Sequence, residues 1–445
     1  MDYREAWSYL DDLQFFKIKL GLDSMTAFLA GVGQPQESLK FIHVAGTNGK
    51  GSVSANLLTI LARAGYKVGL YTSPHLSSVR ERFRINDSYI SEEEFARQAT
   101  LIRDSLAGRQ ITYFEFTTAL ALLWFAEREV DIVILEVGLG GRLDATNVVT
   151  PLLSIITNVS MDHEAHLGNT LIEVAFEKAG VIKPGVPVVS GVTADESLQV
   201  VETACLDKGA PLYLLGRDFQ HQSTAATHWS FVASPGGRTI TGLHSGLAGG
   251  YQVANSAVAL AALDIIGGKG FPVDDDTIRS ALSEVRWPGR LEAFCLSEPE
   301  LIEMDCPGDG VTQSDFRRYL LDGAHNPAGV EALIEYLRSR DDFNNLLMVW
   351  ASMGDKDYSP SLAAVAPLCS RLIFTRPEEE RSAHPDVLVE ALPAEFRERA
   401  HSIEGVAEAL AKARQIAASN DLICVAGSLY LIGFARTILL GEIVR

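Results

Sequence analysis

Apolar residues in the first half of the chain form short continuous runs that alternate with longer helical patterns. Near-continuous apolar runs occur in FIHVA (residues 41–45), DIVILEV (131–137) and LLSIITN (152–158), with helical patterns over 52–64 and 114–129. Such runs are typical of strands that are buried on both faces of a parallel sheet. The alternation therefore predicts an α/β fold with right-handed crossover connections.

A second series of strands and helices follows residue 290. Strands are predicted over 318–321, 346–350, 371–374 and 422–425, and helices over 328–339 and 406–418. The Pro-Gly pair in WPGR favours a hinge, and the acidic stretch 297–314, rich in Pro and Gly, favours a surface loop. Because 445 residues exceed one ordinary domain, we predict domains over 1–288 and 297–445, joined by a linker over 289–296.

Composition and charge exclude several classes of partner. Hydrophobic residues make up 47% of the chain and charged residues 21%, the balance of a globular protein with a substantial core. The net charge of −19 argues against nucleic-acid binding, although a local cluster of donors can still bind an anionic ligand. The N-terminus lacks the pattern of a signal peptide, and the longest apolar stretch, 117–126, is too short to span a bilayer. We expect a cytoplasmic protein without a membrane or nucleic-acid partner.

The five cysteines predict neither a disulfide framework nor a zinc site. They are odd in number, widely spaced and form no CxxC pair, at positions Cys205, Cys295, Cys306, Cys369 and Cys424. This usage is consistent with a reducing compartment.

The segment AGTNGKGS (residues 45–52) follows the first apolar strand and opens a helix. Its glycines allow tight turns, and the exposed N–H groups at the helix N-terminus favour an anion. Lys50 would reach the outer phosphates of a nucleotide, and Ser52 would support a magnesium ion. Gly51 separates these two residues, unlike the standard phosphate loop, and the alternative is a glycine-rich turn. Kinases, ATPases and ligases all bind such nucleotides, so the loop alone leaves the reaction open.

Polar side chains lie at the ends of three predicted strands. Glu136 ends DIVILEV, Ser73 follows a strand over 68–71, and Asp162 and His163 follow the third strand. Taken singly, the glutamate could be solvated, the serine could form a Ser-Pro turn, and the histidine could be structural. Because the carboxyl ends of parallel strands meet at one edge of a sheet, we predict a magnesium site from Ser73, Glu136 and His163 beside the phosphate loop.

Lys178 lies in FEKAGVIKPG, near the end of a predicted helix over 170–179. A cation is favoured there by the helix dipole. The neighbouring residues alone indicate no further role for Lys178.

Seven motifs together resemble one family. GTNGKGS, TSPHL, LEVGLGGRLDATN, MDHEAHLG, EKAG, LDGAHNP and AGSLYLIG occur in this order in folylpolyglutamate synthases and dihydrofolate synthases of the Mur ligase superfamily. The resemblance covers residues 21–433 and implies an N-terminal P-loop ATPase domain with a mostly parallel sheet and a smaller doubly wound α/β C-terminal domain. It implies a monomeric, bifunctional ligase that uses ATP and two Mg²⁺ ions to join L-glutamate to the carboxylate of dihydropteroate or a reduced folate through an acyl phosphate. The preferred acceptor stays open.

The resemblance also implies roles for individual residues. Nucleotide-binding residues are Asn48, Gly49, Lys50, Gly51, Ser52, Asn255, Arg290 and Asp322. One magnesium ion would be bound by Ser73 and Glu136, and the second by His163 and by Lys178 as a carbamate. The acceptor would lie against Thr112, Tyr113, Phe114, Arg142 and Asp144, and the incoming glutamate near His325 and Ser428. Lys50, His163, Lys178, Arg290 and His325 would be catalytic. For the aromatic pair, core packing is the alternative.

Three other functions share some of these features. Another Mur-type amino-acid ligase, a cell-wall ligase that adds an amino acid to a nucleotide-linked muramoyl peptide, would carry a UDP-binding N-terminal domain, but only about 45 residues precede the phosphate loop, too few for a typical domain. An inactive ATP-binding regulator would not need the full set of charged residues. A small-molecule kinase would release a phosphorylated product without requiring glutamate. Two departures from the family, the long stretch 297–314 and the substituted motif WASMGDKDY, concern loop geometry.

Overall fold

A computed structural model describes residues 1–13, 21–223, 228–234, 236–304, 306, 316–378, 380–441 and 443–444. The described chain divides into two units. The first comprises Met1–His75, Val79–Leu247 and Tyr251–Arg286, and the second Leu76–Ser78, Ala248–Gly250 and Trp287–Arg445. No pattern in the sequence predicted that the two short segments belong to the second unit.

An eight-stranded sheet forms the centre of the first unit, in the order β4-β3-β2-β5-β1-β6-β7-β8. Its strands are β1 Phe41–Ala45, β2 Val68–Tyr71, β3 Phe83–Ile85, β4 Ser88–Tyr89, β5 Ile132–Glu136, β6 Leu153–Ile156, β7 Val188–Ser190 and β8 Leu212–Leu214. All neighbouring pairs are parallel except β2–β3 and β3–β4. Every residue of β1, β2, β5 and β6 is buried, as predicted for a covered parallel sheet.

The helices of the first unit begin at recognisable sequence signals. They are α1 Tyr3–Asp12, α2 Asp23–Gly31, α3 Lys50–Arg63, α4 Glu92–Leu106, α5 Tyr113–Glu127, α6 Glu164–Leu167, α7 Leu171–Ala179, α8 Asp195–Asp207, α9 Tyr251–Gly267 and α10 Asp275–Glu284. Four of them, α1, α4, α5 and α7, start with a capping box, in which the cap and a glutamate three residues later satisfy two free N–H groups. Among the described helices, none combines the length and apolar character needed to cross a membrane.

A small antiparallel sheet also belongs to the first unit. It consists of β9 Phe219–Ser223, β10 Trp229–Ala233 and β11 Thr239–Leu243, with β10 in the middle. No strand was predicted here, because the polar β9 sequence FQHQS lacks an apolar run.

The second unit is built on a seven-stranded sheet in the order β13-β12-β14-β18-β15-β16-β17. Its strands are β12 Glu292–Ser297, β13 Glu303–Met304, β14 Phe316–Leu321, β15 Leu346–Trp350, β16 Arg371–Phe374, β17 Ala400–Ser402 and β18 Leu422–Ala426, and its helices are α11 Pro327–Arg338, α12 Ser359–Val365, α13 Pro385–Ala391, α14 Val406–Ile416 and α15 Leu429–Leu440. Met348 and Trp350 of β15 pack into one apolar core, and Leu347 and Val349 into another. Cores on both faces of a mainly parallel sheet confirm the predicted doubly wound architecture.

The region around residues 292–306 differs from its predicted structure. Residues 292–296 of the predicted linker and residue 297 form β12, and residues 303–304, in the predicted surface loop, form its antiparallel partner β13. Residues 305 and 307–314 of that loop lie outside the described residues. The domain limits themselves stay predictions.

The cysteine interpretation was wrong for one pair. Cys295 and Cys306 form a disulfide bond, whereas Cys205, Cys369 and Cys424 are free and buried. The β12–β13 pairing sets Cys295 opposite Met304, which brings the chain around Cys306 close to β12. Spacing along the sequence does not reveal such a pairing, and the argument for a reducing compartment loses its basis.

Candidate active site

The phosphate-loop candidate lies between β1 and α3 and requires glycine at two positions. Gly46 has a φ of 146°, and a Cβ there would lie 1.9 Å from the Thr157 hydroxyl oxygen. Gly49 has a φ of 85°, and a Cβ there would lie 2.5 Å from Asn255 Oδ1. Both positions combine a left-handed backbone with a close neighbour, which only glycine tolerates. Asn255, predicted to bind nucleotide, therefore lies against the loop.

Residues that follow β6 hold the loop in place. Asn48 N–H donates to Asn158 Oδ1 at 2.8 Å, and the Thr157 hydroxyl donates to the Asn48 carbonyl at 2.6 Å. The Thr47 hydroxyl donates to the Ser160 carbonyl at 3.0 Å. Sequence reasoning looked only at Asp162 and His163 in this segment and missed these residues. The segment TNVS, with three polar residues directly after a buried strand, could have indicated them.

Lys50 begins α3 and bends back over the loop. Its ammonium donates to the carbonyls of Gly46 and Thr47, both at 3.0 Å. Ser52, in the same turn of α3, is almost fully buried. A cation beside a glycine-rich loop at the N-terminus of a helix is suited to bind phosphate.

Ser73 and Glu136 are brought together, as the strand-end argument predicted. The strands β2 and β5 are neighbours, and Ser73 N–H donates to Glu136 Oε2 at 3.2 Å. Glu136 is only 4% exposed. The described residues contain no group of three His, Cys, Asp or Glu side chains that could hold a metal ion. A cation here would take other oxygens from Ser73, a bound nucleotide or water, and magnesium tolerates such a shell because it keeps several waters.

His163 lies beyond β6, immediately before α6. Its backbone φ is 51°, its side chain is about half exposed, and its Nε2 lies 3.9 Å from Asp162 Oδ1. In the sheet, β1 with the phosphate loop separates β6 from β5. The three predicted strand ends are therefore not consecutive, and the phosphate loop lies between two of them.

Lys178 occupies the last turn of α7 and is 3% exposed. Burial, and to a lesser degree the charge of Lys50, lower the pKa of this lysine to about 7, while Asp162 and Asp144 oppose the shift. Lys178 therefore shares its electrostatic surroundings with the phosphate-loop lysine and two carboxylates. The helix-dipole interpretation described its position in α7 but missed its burial.

The glycine loop, residues 138–147 (GLGGRLDATN), follows β5 and is organised by Asp144. One carboxylate oxygen of Asp144 accepts from Gly138 N–H at 3.0 Å and Leu139 N–H at 2.8 Å. The other oxygen accepts from Thr146 N–H at 3.0 Å. Burial raises the pKa of Asp144, and these hydrogen bonds oppose the shift. Both oxygens are thus occupied within the chain, so Asp144 shapes the loop whatever it contacts in a ligand.

Arg142 projects from the glycine loop onto α7. Its guanidinium donates to Glu177 Oε1 at 3.2 and 2.8 Å and lies 5.4 Å from the centre of the Phe176 ring. Its side chain is 43% exposed, which leaves part of the guanidinium open to a ligand.

The predicted acceptor residues on α5 begin that helix. Thr112 is the N-cap, and its hydroxyl accepts from Glu115 N–H at 3.2 Å. The Phe114 ring lies directly on the glycine loop, since a Cβ on Gly138 would approach it to 2.5 Å. The Arg82 guanidinium lies 5.3 Å from the centre of the Tyr113 ring. Both aromatic residues are half-buried, and Phe114 forms part of the wall beside the glycine loop.

The second unit gathers its own predicted residues at the ends of β14 and β18. Asp322, after β14, accepts from Leu291 N–H at 2.8 Å and Ala324 N–H at 2.9 Å. Burial raises its pKa, and Arg290 opposes the shift most strongly. His325 Nδ1 lies 2.7 Å from the Gly323 carbonyl. Ser428, after the neighbouring strand β18, is 2% exposed, and its hydroxyl lies 3.8 Å from the Met353 sulfur.

Comparisons with known proteins agree with this architecture. Residues 44–263 match the Mur ligase middle domain, and residues 310–429 match the Mur ligase glutamate ligase domain. The dihydrofolate synthase/folylpolyglutamate synthase of Bacillus subtilis (strain 168) is 33% identical over 98% of both chains. The Escherichia coli FolC structure with DHPP and ADP has 30% identity and a TM-score of 0.85, covering 99% of this chain and 98% of that one.

A further solved structure carries a metal ion, a nucleotide analogue and an amino acid. It is a bifunctional folylpolyglutamate synthase/dihydrofolate synthase with Mn, AMPPNP and L-glutamate bound, with 30% identity, a TM-score of 0.84 and 98% coverage of both chains. The predicted fold and family are confirmed, whereas the roles of the individual residues stay predictions. The chain belongs to the dihydrofolate synthase/folylpolyglutamate synthase family of Mur ligases.

Proposed function

We propose that this protein joins L-glutamate to the carboxylate of dihydropteroate, of reduced folylpolyglutamates, or of both, with ATP as the energy source. The acceptor carboxylate would attack the γ-phosphorus of ATP, and the resulting acyl phosphate would react with the glutamate amine. We expect it to act as a monomer. Relatives named for both activities support the bifunctional assignment.

One observation carries the proposal: the phosphate loop and the Ser73–Glu136 pair lie at the same edge of the first unit's sheet, and the buried Lys178 of α7 is close enough to be electrostatically coupled to that loop. The pair is joined at 3.2 Å, and Lys178 is electrostatically coupled to Lys50. A nucleotide site alone would fit many reactions. A buried lysine beside that site fits this family.

Lys50 and the N–H groups of the loop would neutralise the triphosphate charge as the phosphoryl group moves to the acceptor carboxylate. Glu136 and Ser73 offer oxygens for one magnesium ion, and His163 with a modified Lys178 offers ligands for a second. When bound, these ions would supply positive charge that orients the carboxylate and the phosphoryl oxygens. Asn255 would keep the loop conformation through its contact with Gly49.

Lys178 would act as a carbamate. Its neutral amine attacks CO₂, an N–C bond forms, and the displaced proton leaves to solvent, which turns the side chain into an anionic oxygen ligand. Burial favours this change, because the lowered pKa of about 7 keeps a large share of the amine neutral near physiological pH.

The remaining predicted residues would bind the two organic substrates and the nucleotide. Tyr113, Phe114 and Arg142 would hold the pterin acceptor beside the glycine loop. In the second unit, Arg290 and Asp322 would contact the nucleotide, and His325 and Ser428 the incoming glutamate.

The decisive test is a product analysis by mass spectrometry. The protein is incubated with ATP, L-glutamate and either dihydropteroate or tetrahydrofolate. We expect ADP, phosphate and an acceptor that has gained one glutamyl residue. A stable phosphorylated acceptor formed without glutamate would instead identify a kinase, and absence of product with both acceptors would refute the proposal.

The phosphate-loop assignment is tested by Lys50→Ala. Loss of the cation should reduce ADP formation by at least about 100-fold, the scale of removing one charge-stabilising donor. Lys67→Ala is the matched control, since Lys67 is an exposed lysine of the same unit. Unchanged turnover in the Lys50 variant would disprove the assignment.

A further inference from the structure

A buried histidine lies beneath the glycine loop, and the proposed reaction does not use it directly. His43 belongs to β1, in the centre of the eight-stranded sheet, and is fully buried. Its Nε2 lies 2.8 Å from the Thr146 hydroxyl. A polar ring in the centre of a sheet is costly to bury unless it forms hydrogen bonds. The contact with Thr146 supplies one such bond, and a role for the buried ring has to be found.

The chemistry of the neighbours fixes the direction of the hydrogen bonds. The Thr146 hydroxyl donates to Asp144 Oδ1 at 2.5 Å, and this carboxylate otherwise accepts backbone N–H groups. Since the hydroxyl proton is used on Asp144, the Thr146 oxygen must accept from His43. His43 is therefore protonated on Nε2. Among the described residues, its Nδ1 has no hydrogen-bond partner.

The electrostatics of the site agree with this tautomer. Burial, together with the charge of Lys183, lowers the pKa of His43 to about 3. The ring is therefore neutral throughout the physiological range and carries one proton, which it donates to Thr146.

The two hydrogen bonds from His43 to Thr146 and from Thr146 to Asp144, called the relay below, end on the glycine loop. This loop is held by several further hydrogen bonds. Asp144 fixes the start of the glycine loop through Gly138 and Leu139. Asn147 Nδ2, at its other end, donates to the Arg142 carbonyl at 3.0 Å and the Gly180 carbonyl at 3.1 Å. The flat Phe114 ring packs on Gly138. The loop thus presents backbone and a guanidinium beside an aromatic surface, an arrangement suited to a flat heterocycle.

We propose that His43 and Thr146 are positioning residues that, through Asp144, hold the glycine loop in the shape that binds the pterin part of the acceptor. This inference rests on the proposed function, because it takes a pterin as the ligand. His43 also lies on the strand that leads to the phosphate loop, so the competing role is general support of the nucleotide site. The two roles differ in which substrate is affected.

The kinetic test compares Thr146→Val with Thr146→Ser. Valine keeps the shape of threonine but removes the hydroxyl, and we expect the KM for dihydropteroate or tetrahydrofolate to rise about tenfold or more. The KM values for ATP and glutamate should stay within about twofold, and serine should restore the acceptor KM. Thr375→Val is the matched control, since it removes a buried hydroxyl bonded to a carbonyl at 2.8 Å in the second unit, and its acceptor KM should not change.

Two kinetic results would overturn the inference. One is an acceptor KM in Thr146→Val within about twofold of wild type, and the other is a parallel rise in all three KM values. A wild-type protein that ligates neither acceptor would instead refute the proposed function.

A spectroscopic measurement tests the hydrogen bond from His43 to Thr146 without an activity assay. Long-range ¹H–¹⁵N correlations report which ring nitrogen of each of the ten histidines is protonated, and loss of one ring system in His43→Gln identifies the His43 signal. We expect a neutral ring protonated on Nε2 at pH 5. A ring protonated on Nδ1, or on both nitrogens, would disprove the relay.

Discussion

Replacing Lys178 with methionine should make the protein more stable while it abolishes ligation. Methionine matches the length of the lysine stem and carries no charge, so it suits a site that is 3% exposed. The two effects have one cause, because the buried amine that opposes folding is the group proposed to become the carbamate.

The magnitude follows from the pKa. Burial takes the pKa of Lys178 from 10.5 to about 7, and each pKa unit corresponds to about 1.4 kcal/mol. At pH 7 the unfolded chain binds the proton almost fully and the folded chain about half, so the buried amine costs about 4 kcal/mol. Adjustment of the packing around methionine would cost up to about 1.5 kcal/mol. We expect a net gain of about 2 to 4 kcal/mol in the free energy of unfolding.

The pH dependence distinguishes this cause from improved packing. Between pH 7 and 10.5 the unfolded state binds more protons at Lys178 than the folded state does, so wild-type stability rises with pH in this window. The advantage of Lys178→Met should therefore be largest at and below pH 7 and disappear near pH 10.5. A packing gain would not depend on pH.

Calorimetry and urea unfolding at several pH values, in buffer freed of CO₂, measure the stability, and ADP release measures the activity. Lys178→Ala provides the second arm: short carboxylates or bicarbonate should partly restore its activity by taking the place of the carbamate. A Lys178→Met protein that is no more stable at pH 7 would refute the burial argument. Full activity in either variant would remove the carbamate from the mechanism.

Two further predictions concern the glycine and histidine positions. Gly49 and Gly33 share a φ of 85°, but only Gly49 has a close neighbour, Asn255. Replacing either glycine with alanine should lower the free energy of unfolding by about 1 kcal/mol, whereas only Gly49→Ala should weaken ADP binding in calorimetry, by about tenfold. Equal ADP affinities of the two variants would contradict the close-contact argument. Between pH 6.5 and 3, His43 takes up a proton only when the protein unfolds, because its pKa is lowered to about 3 in the folded state. The free energy of unfolding should therefore fall by about 2 kcal/mol from pH 6.5 to pH 5 through this residue, and His43→Gln should reduce the loss of stability at acidic pH by that amount. An unchanged loss in this variant would show that His43 is not buried as a neutral ring.

Much of the fold was predictable because its central strands are continuous apolar runs. All the strands and helices predicted from the sequence are present within two residues of their predicted ends. The phosphate loop and the Ser73–Glu136 pair were also predictable, since a strand end fixes which edge of the sheet a residue occupies. The small sheet of β9 to β11 was missed, because its side chains follow no clear apolar period.

The features that were not predicted from the sequence depend on contacts that form only in the folded protein. The Cys295–Cys306 disulfide follows from the pairing of β12 with β13, which no spacing rule describes. The burial of Lys178 depends on how α7 packs over the glycine loop. The carboxylate of Asp144 accepts hydrogen bonds from four donors of its own loop, a network that the local motif does not show, and its predicted contact with the acceptor stays a prediction.

The carboxyl edge of the first unit's sheet contains groups that each oppose folding. Lys178 and Asp144 are buried ionisable groups, His43 is a buried neutral ring, and Gly49 holds a left-handed backbone against a neighbour. A protein selected for stability alone would replace the lysine with an apolar residue, since burying a charge costs several kcal/mol. The fully buried strands beneath this edge supply the apolar surface that offsets these costs. Concentration of unfavourable groups where β1, β5 and β6 end therefore marks this edge as the place where chemistry, rather than stability, determines the residues.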